Sequence, residues 1–366
     1  NVGIGTAIPM NKLHIYDDSK SETILTIQNN LNIESSKNFF IISSPAQTFE
    51  FNNNYTYQVF TYTTETAGTG SGQTLYTLTI NPSIGGVISD ILIIGGGGGG
   101  GKTNSGGGGA GGLLYFKNIT LTGIYTIKVG KGGAGTSSGG NERYLGNKGT
   151  NTTFIGTDAN YTAYGGGGGG YGYFTDLVEP INLGPYGSSG GLGTGDRVRE
   201  LSNSNTVGQG YLGGLGSIST SSGGGGGGGS GGNGSNVEVS SGGIGGIGRQ
   251  INITGTNVYY AGGGAGGHYP TTTPGGAGGG GEGYYTGTGG NATNYGSGGG
   301  GGGGNFGNGG SGFGGVVIIR YINYTATTIS SSIELVRGAT ANEMVNYRLG
   351  NYDGIFKLKS VNTGTP

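Results

Sequence analysis

Unbroken glycine runs at 95–101, 165–170, 223–229 and 298–304 constrain this chain more than any other feature. A glycine run has no side chain to bury, and it loses more backbone entropy on ordering than any other sequence. It is therefore either a flexible linker or a segment held through its own N–H and C=O groups, which a folded interior must pair. Apolar, strand-sized segments abut the runs and argue against the linker. Ile91-Leu92-Ile93-Ile94 leads straight into Gly95, and Gly314-Gly315 leads into Val316-Val317-Ile318-Ile319. Two such strands at opposite ends of a glycine-rich stretch are expected to pair and to bring the two ends of that stretch together. Collagen is excluded because the strict Gly-X-Y period is missing and only 8 Pro are present.

What remains is the extended left-handed threefold geometry of polyproline II, adopted by glycine and stacked sideways. It has no internal hydrogen bonds, so every backbone polar group points to a neighbour. Ordering costs roughly 1–2 kcal/mol per residue, so a lone rod melts and only a group of about six or more is expected to hold. Isolated Ala110, Ala265 and Ala277 are expected at outward-facing positions. The fold class is thus mainly β with a polyglycine II helix bundle, and short β-strand modules stand at both ends.

Glycine supplies 97 of 366 residues and hydrophobic residues 31%, too few for several ordinary side-chain cores. A net charge of −1 gives no long-range attraction for nucleic acid or an anionic membrane. The longest apolar runs are strand-sized, so no membrane insertion is expected. The absence of Cys excludes a disulfide scaffold and thiol catalysis. The 2 His lack spaced carboxylates, and no nucleophile, base and orienting acid come together in the sequence. No catalytic, metal-binding or cofactor-binding residue is assigned, and the chain is expected not to be an enzyme.

Three regions separate by composition: a β module at 1–44, a glycine-rich domain with closing strands at 48–321, and a second β module at 327–366. Strands are expected at 24–27, 39–42, 57–63, 75–80, 87–94, 316–321, 332–336, 347–349 and 355–358. Segments 113–116 and 125–129 read as a hairpin. Gly350-Asn351-Tyr352-Asp353-Gly354 reads as a hairpin turn, with Asp-Gly supplying the left-handed position. The chain starts without an initiator Met and ends in Gly364-Thr365-Pro366, as expected of one section of a longer polypeptide.

The opening Val2-Gly3-Ile4-Gly5-Thr6, with Pro9 and Lys12-Leu13-His14, resembles a repeat unit of phage and other viral tail fibres. Val2, Ile4, Leu13 and Ile15 would face a shared seam. Strands this short bury little alone, so the resemblance implies association of chains, commonly three. The stretch from Ile91 through Leu121-Thr122-Gly123-Ile124-Tyr125 to Gly314-Gly315-Val316 resembles the glycine-rich domain of viral tail-fibre proteins and adhesins. A related design occurs in the extracellular part of anaplastic-lymphoma-type receptor kinases. The resemblance implies a structural spacer or host-attachment element on a virion or other extracellular surface, trimeric through its flanking β modules. Another class stays open, an extracellular matrix or ice-binding type of protein, as does a cryptic nucleotide-binding enzyme.

That last class rests on Gly96 to Thr103, which reads G-x-x-x-x-G-K-[ST] after a strand. A phosphate loop needs Lys102 and Thr103 to begin a helix, and Gly106-Gly107-Gly108-Gly109 follows instead. The aromatics say more. Tyr171, Tyr173, Phe174, Tyr186, His268, Tyr269, Tyr284 and Tyr285 fall where glycine runs stop. They are either rings that cap exposed glycine backbone or candidate recognition loops for a host-surface glycan or protein.

Overall fold

A computed structural model describes residues 55–67, 72–80, 86–136, 145–172, 184–195, 205–218, 223–239, 241–268, 270–304 and 307–322, with short strands at 2–4, 13–15, 40–42, 47–52, 348–349 and 352–353. The chain is mainly β, and no helix occurs among the described residues. It divides into two compact units, Asn1–Ser36 with Tyr324–Pro366, and Lys37–Asn323.

In the first unit β1 (Val2–Ile4) pairs parallel with β2 (Leu13–Ile15), Val2 opposite Leu13 and Ile4 opposite Ile15. The expected strands at 24–27, 332–336 and 355–358 lie outside the described residues. In chain order the second unit holds β3 (Phe40–Ile42), β4 (Gln47–Asn52), β5 (Tyr55–Thr61), β6 (Gln73–Ile80), β7 (Val87–Ile94), β8 (Leu113–Leu121), β9 (Ile124–Gly130), β10 (Thr152–Gly156), β11 (Asn160–Ala163), β12 (Arg249–Ile251), β13 (Val258–Tyr260) and β14 (Val316–Ile322). Back in the first unit, β15 (Arg348–Leu349) pairs with β16 (Tyr352–Asp353). Tyr352 and Asp353, expected within the hairpin turn, pair instead with Leu349 and Arg348 and so fall in a strand; the rest of the expected turn lies outside the described residues.

The second unit is built on two antiparallel sheets, in the orders β4-β5-β14-β7-β8 and β11-β10-β9-β6-β3. β7 pairs with β14, Ile94 opposite Val316 and Ile91 opposite Ile319. Between the sheets lies one core, including Phe60, Leu78, Ile91, Ile93, Tyr125, Ile127, Phe154, Val317 and Ile319. On the far face of the first sheet, Leu92, Ile94, Val316 and Ile318 join Ile251, Ile253 and Tyr260 of the β12–β13 hairpin region in a second cluster. The central strands β7 and β14 are therefore covered on both faces, which is why their sequences are continuous apolar runs and do not alternate.

Residues 113–116 and 125–129 do not form a hairpin. β8 pairs with β7 and β9 with β6 and β10, so the short turn at Thr122-Gly123 carries the chain from one sheet to the other. Gly123 takes a left-handed φ of 79°. The Tyr125 hydroxyl accepts from Thr122 N at 2.6 Å and donates to Asp158 Oδ1 at 2.6 Å, which ties the turn to the β10–β11 loop. Burial and the bond to Asp158 push the Tyr125 hydroxyl up to about 12. Burial raises the Asp158 carboxyl, but the Tyr125 and Thr122 hydrogen bonds outweigh it and leave the group below its ordinary value.

Side chains hold the two sheets apart, by about 10 Å in packed sheets generally. At Gly95 the side chains stop, and the two layers meet through their backbones. Gly95 N donates to Gly112 O at 3.0 Å, Gly96 N to Thr150 O at 3.0 Å and Gly97 N to Phe313 O at 2.9 Å. The next three residues repeat the cycle: Gly98 to Gly109, Gly99 to Asn147, Gly100 to Gly310. The runs that continue β7, β8 and β14 thus bond directly to those that continue β9, β10 and β11.

The run 105–112 shows the full arrangement. It donates in rotation to 296–302, 164–170 and 225–228, and it accepts from 95–101, 264–267 and 188–191. Six neighbours surround it, and each residue turns to a new one. A Cβ built on Gly106, Gly107 or Gly108 would come closer than 3.0 Å to main-chain atoms of another run, so glycine is required by close approach. Ala110 and Ala265 are fully buried and do not face outward as expected; Ala277 is exposed. The Ala110 methyl is accommodated because it reaches the apolar cluster of Leu92, Ile94 and Leu113.

Candidate functional site

The hydrogen-bond register fixes two poles of this unit. β3 enters with Phe40 opposite Ile80 and β14 leaves at Ile322 opposite Tyr55, both at the ends of their strands away from the glycine runs. At the other pole the runs end level with one another. Gly101 N donates to Gly106 O, Gly106 N to Gly170 O, Gly267 N to Ser105 O and Gly302 N to Gly101 O. Tyr171 and His268 directly follow two of these ends, and Tyr284 N donates to Gly301 O at 3.3 Å. Tyr171, His268, Tyr284 and Tyr285 are therefore gathered at the pole opposite the chain's points of entrance and exit. Tyr186 is not among them, because Gly187 N bonds Gly165 O at the sandwich side of the array. Tyr173, Phe174 and Tyr269 lie outside the described residues.

Burial separates the gathered residues by role. His268 is 2% exposed and its ring lies over the Gly223 backbone. Burial holds its imidazole below the ordinary value, so it is neutral at pH 7. Tyr186 is also buried, packs over Gly167, and has its hydroxyl pushed up to about 12 by desolvation. These two rings cover glycine backbone. Tyr285 is exposed, and Tyr171 and Tyr284 are half-buried, so these three present ring surface to solvent.

The unit is defined by backbone bonding between glycine runs, and residues 62–322 match the family described as a glycine-rich domain. The chain belongs to that family. No match is found among curated proteins.

Within the glycine-rich domain the phosphate-loop lookalike is a reversal between two antiparallel runs. Lys102, Thr103, Asn104 and Ser105 are buried, with left-handed φ of 58° at Thr103 and 43° at Asn104. Thr103 N donates to Gly307 O at 2.9 Å and Ser105 N to Gly302 O at 3.3 Å. Amides that would cradle a phosphate are already used. Calorimetry with ATP and Mg²⁺ is expected to show no saturable heat, and Lys102→Ala to leave the trace unchanged; saturable binding abolished by Lys102→Ala would restore the nucleotide site.

A residue that sequence reading missed is Gln209. Its Oε1 accepts from Tyr164 N at 3.0 Å and its Nε2 donates to Thr162 O at 2.9 Å, so one side-chain amide closes the open edge of β11. Nothing in a lone Gln between Gly208 and Gly210 signals this task.

Proposed function

We propose that this chain is a non-enzymatic structural element of a fibre or adhesin, on a virion or other extracellular surface, that acts as a rigid spacer or attachment head. The observation that carries this is the polarity of the glycine-rich domain. The chain comes and goes at one pole, and the solvent-facing tyrosines stand at the other. Such a body projects from a shaft without interrupting it.

Stiffness follows if the glycine runs are threefold extended helices of the polyglycine II type. In support, backbone bonds pass to a new neighbour at each residue and return to the first after three, the period of that geometry. At about 3.1 Å per residue, a seven-residue run spans roughly 20 Å. The flanking β modules would supply a homotrimer, since short strands such as β1 and β2 bury little by themselves. Bare glycine faces offer no side chain for discrimination, so recognition of a host-surface glycan or protein belongs to the interrupting loops.

Replacing Tyr171, Tyr284 and Tyr285 together by Ala is expected to lower binding to cells and to a glycan array at least about tenfold, as loss of aromatic contact area does at other interfaces. Thermal unfolding monitored by circular dichroism should stay within a few degrees of the parent. Unchanged binding would leave a spacer without an attachment role.

A further inference from the structure

Any tension that reaches the Lys37–Asn323 unit along the chain enters ahead of β3 and leaves behind β14. Register then decides where it acts. β3 lies at the edge of its sheet and is held by β6 alone, with Phe40 opposite Ile80 and Ile42 opposite Leu78. Drawn from Phe40, at the pole of entrance, its bonds load one after another and offer little resistance. β4 takes the load next, and it is placed differently. Its first residue, Gln47, lies opposite Val59, towards the glycine runs, whereas Asn52 lies opposite Tyr55, at the pole where β14 ends in Ile322.

Gln47 and Ile322 are therefore drawn apart from opposite ends of one sheet. Gln47 is level with Val59 and Ile322 with Tyr55, a separation of four residues along the strands and two strand spacings across β4-β5-β14. At about 3.3 Å per residue and about 4.8 Å per strand, the offset is roughly 13 Å along the strands against roughly 10 Å across them. The larger component is shear. Ladder bonds run perpendicular to antiparallel strands, so shear strains all those between β4 and β5 together, while a pull across the sheet breaks them in turn.

We infer that β4, β5 and β14 form a tension-bearing clamp that keeps the glycine-rich unit closed when the chain is pulled. β14 is bonded on both sides, to β5 and to β7, and β4 on one side only, so the β4–β5 ladder is the part that yields. Within that ladder Phe49 is opposite Tyr57 and stacks on it, with ring centroids 5.2 Å apart. Such a cross-strand pair opposes sliding. Once β4 has gone, the load falls on Tyr55, directly opposite Ile322, and the β5–β14 ladder opens bond by bond from that end. The clamp is thus the barrier to opening the whole unit. It goes beyond the spacer and attachment roles and depends on neither.

The chain has no Cys, so introduced cysteines can carry the handles of an optical-tweezers experiment on the full chain. One pair, Lys37→Cys with Asn323→Cys, shears β4 from β5. Another, Asn54→Cys with Asn323→Cys, starts beside Tyr55 and opens the β5–β14 ladder from its end. Rupture under force is governed by the unfolding rate, so the two are compared at one loading rate. The first pair should rupture at a severalfold higher force than the second. Phe49→Ala, at a position 40% exposed, should lower the first force and leave the second unchanged; a general loss of stability would lower both. Equal forces from the two pairs overturn the inference. So does a Phe49→Ala loss that is the same in both or absent from the first.

Discussion

Gly100→Ala is expected to cost about 3 kcal/mol or more, enough to remove most of the stability of a typical domain. Gly100 sits inside the array, donating to Gly310 O at 2.8 Å and accepting from Thr136 N at 3.3 Å. A Cβ there would come closer than 3.0 Å to Gly300 O and Gly300 C. Those atoms cannot give way, because Gly300 N is bound to Gly290 O and Gly301 N to Ala265 O, both within 2.9 Å. Overpacking against side chains usually costs about 1–3 kcal/mol; here the obstacle is hydrogen-bonded main chain. Gly208→Ala is the control. Gly208 has a left-handed φ of 83° and nothing within 4 Å of a built Cβ, so only conformational strain of about 1–2 kcal/mol applies. Urea denaturation followed by circular dichroism measures both. If the two variants are equally stable, the runs are not in backbone contact.

Phe154→Ala should cost about 3–5 kcal/mol, and the loss should reach the glycine array. Phe154 is fully buried between the sheets and stacks on Tyr125 at 4.8 Å and on Tyr161 at 6.5 Å. β10, which carries it, is preceded by the run whose Thr150 and Asn147 carbonyls accept from Gly96 and Gly99. A run alone cannot replace the order that its strand supplies, because its own backbone entropy opposes it. Native-state hydrogen exchange should therefore show the Gly96 and Gly99 amides losing protection by roughly 100-fold or more, in step with amides of β10. Unchanged protection at Gly96 and Gly99 would mean that sandwich and array unfold independently.

Much of the sandwich was legible because side chains announce their surroundings. Ile91 to Ile94 and Val316 to Ile319 lack alternation, and both prove to be covered on two faces. The 113–129 segment misled for an equally physical reason. Two short strands separated by Thr122-Gly123 have the local pattern of a hairpin, and only their pairing with distant strands, β8 with β7 and β9 with β6 and β10, puts them in different sheets. At the candidate site, aromatics at run ends were visible in the sequence, whereas their sorting into buried His268 and Tyr186 against exposed Tyr285 was not. Ring type does not reveal which glycine backbone a ring will cover.

The sequence by itself determined that the glycine runs had to be paired through backbone groups, since 97 glycines leave no other means of holding the middle of the chain. It also determined the apolar strands such as β7 and β14, whose side chains carry their own burial, but not the short β10 to β13, which carry no such run. Which run lies beside which was decided only by the tertiary structure. Runs of identical residues carry no register and no preferred partner. The strands before and after them, pairing as β8-β7-β14 and β11-β10-β9, set where each run starts and in which direction it points. Once the side chains end at Gly95, the separation they imposed between the sheets vanishes, and the backbones close on one another in the only order the strands allow.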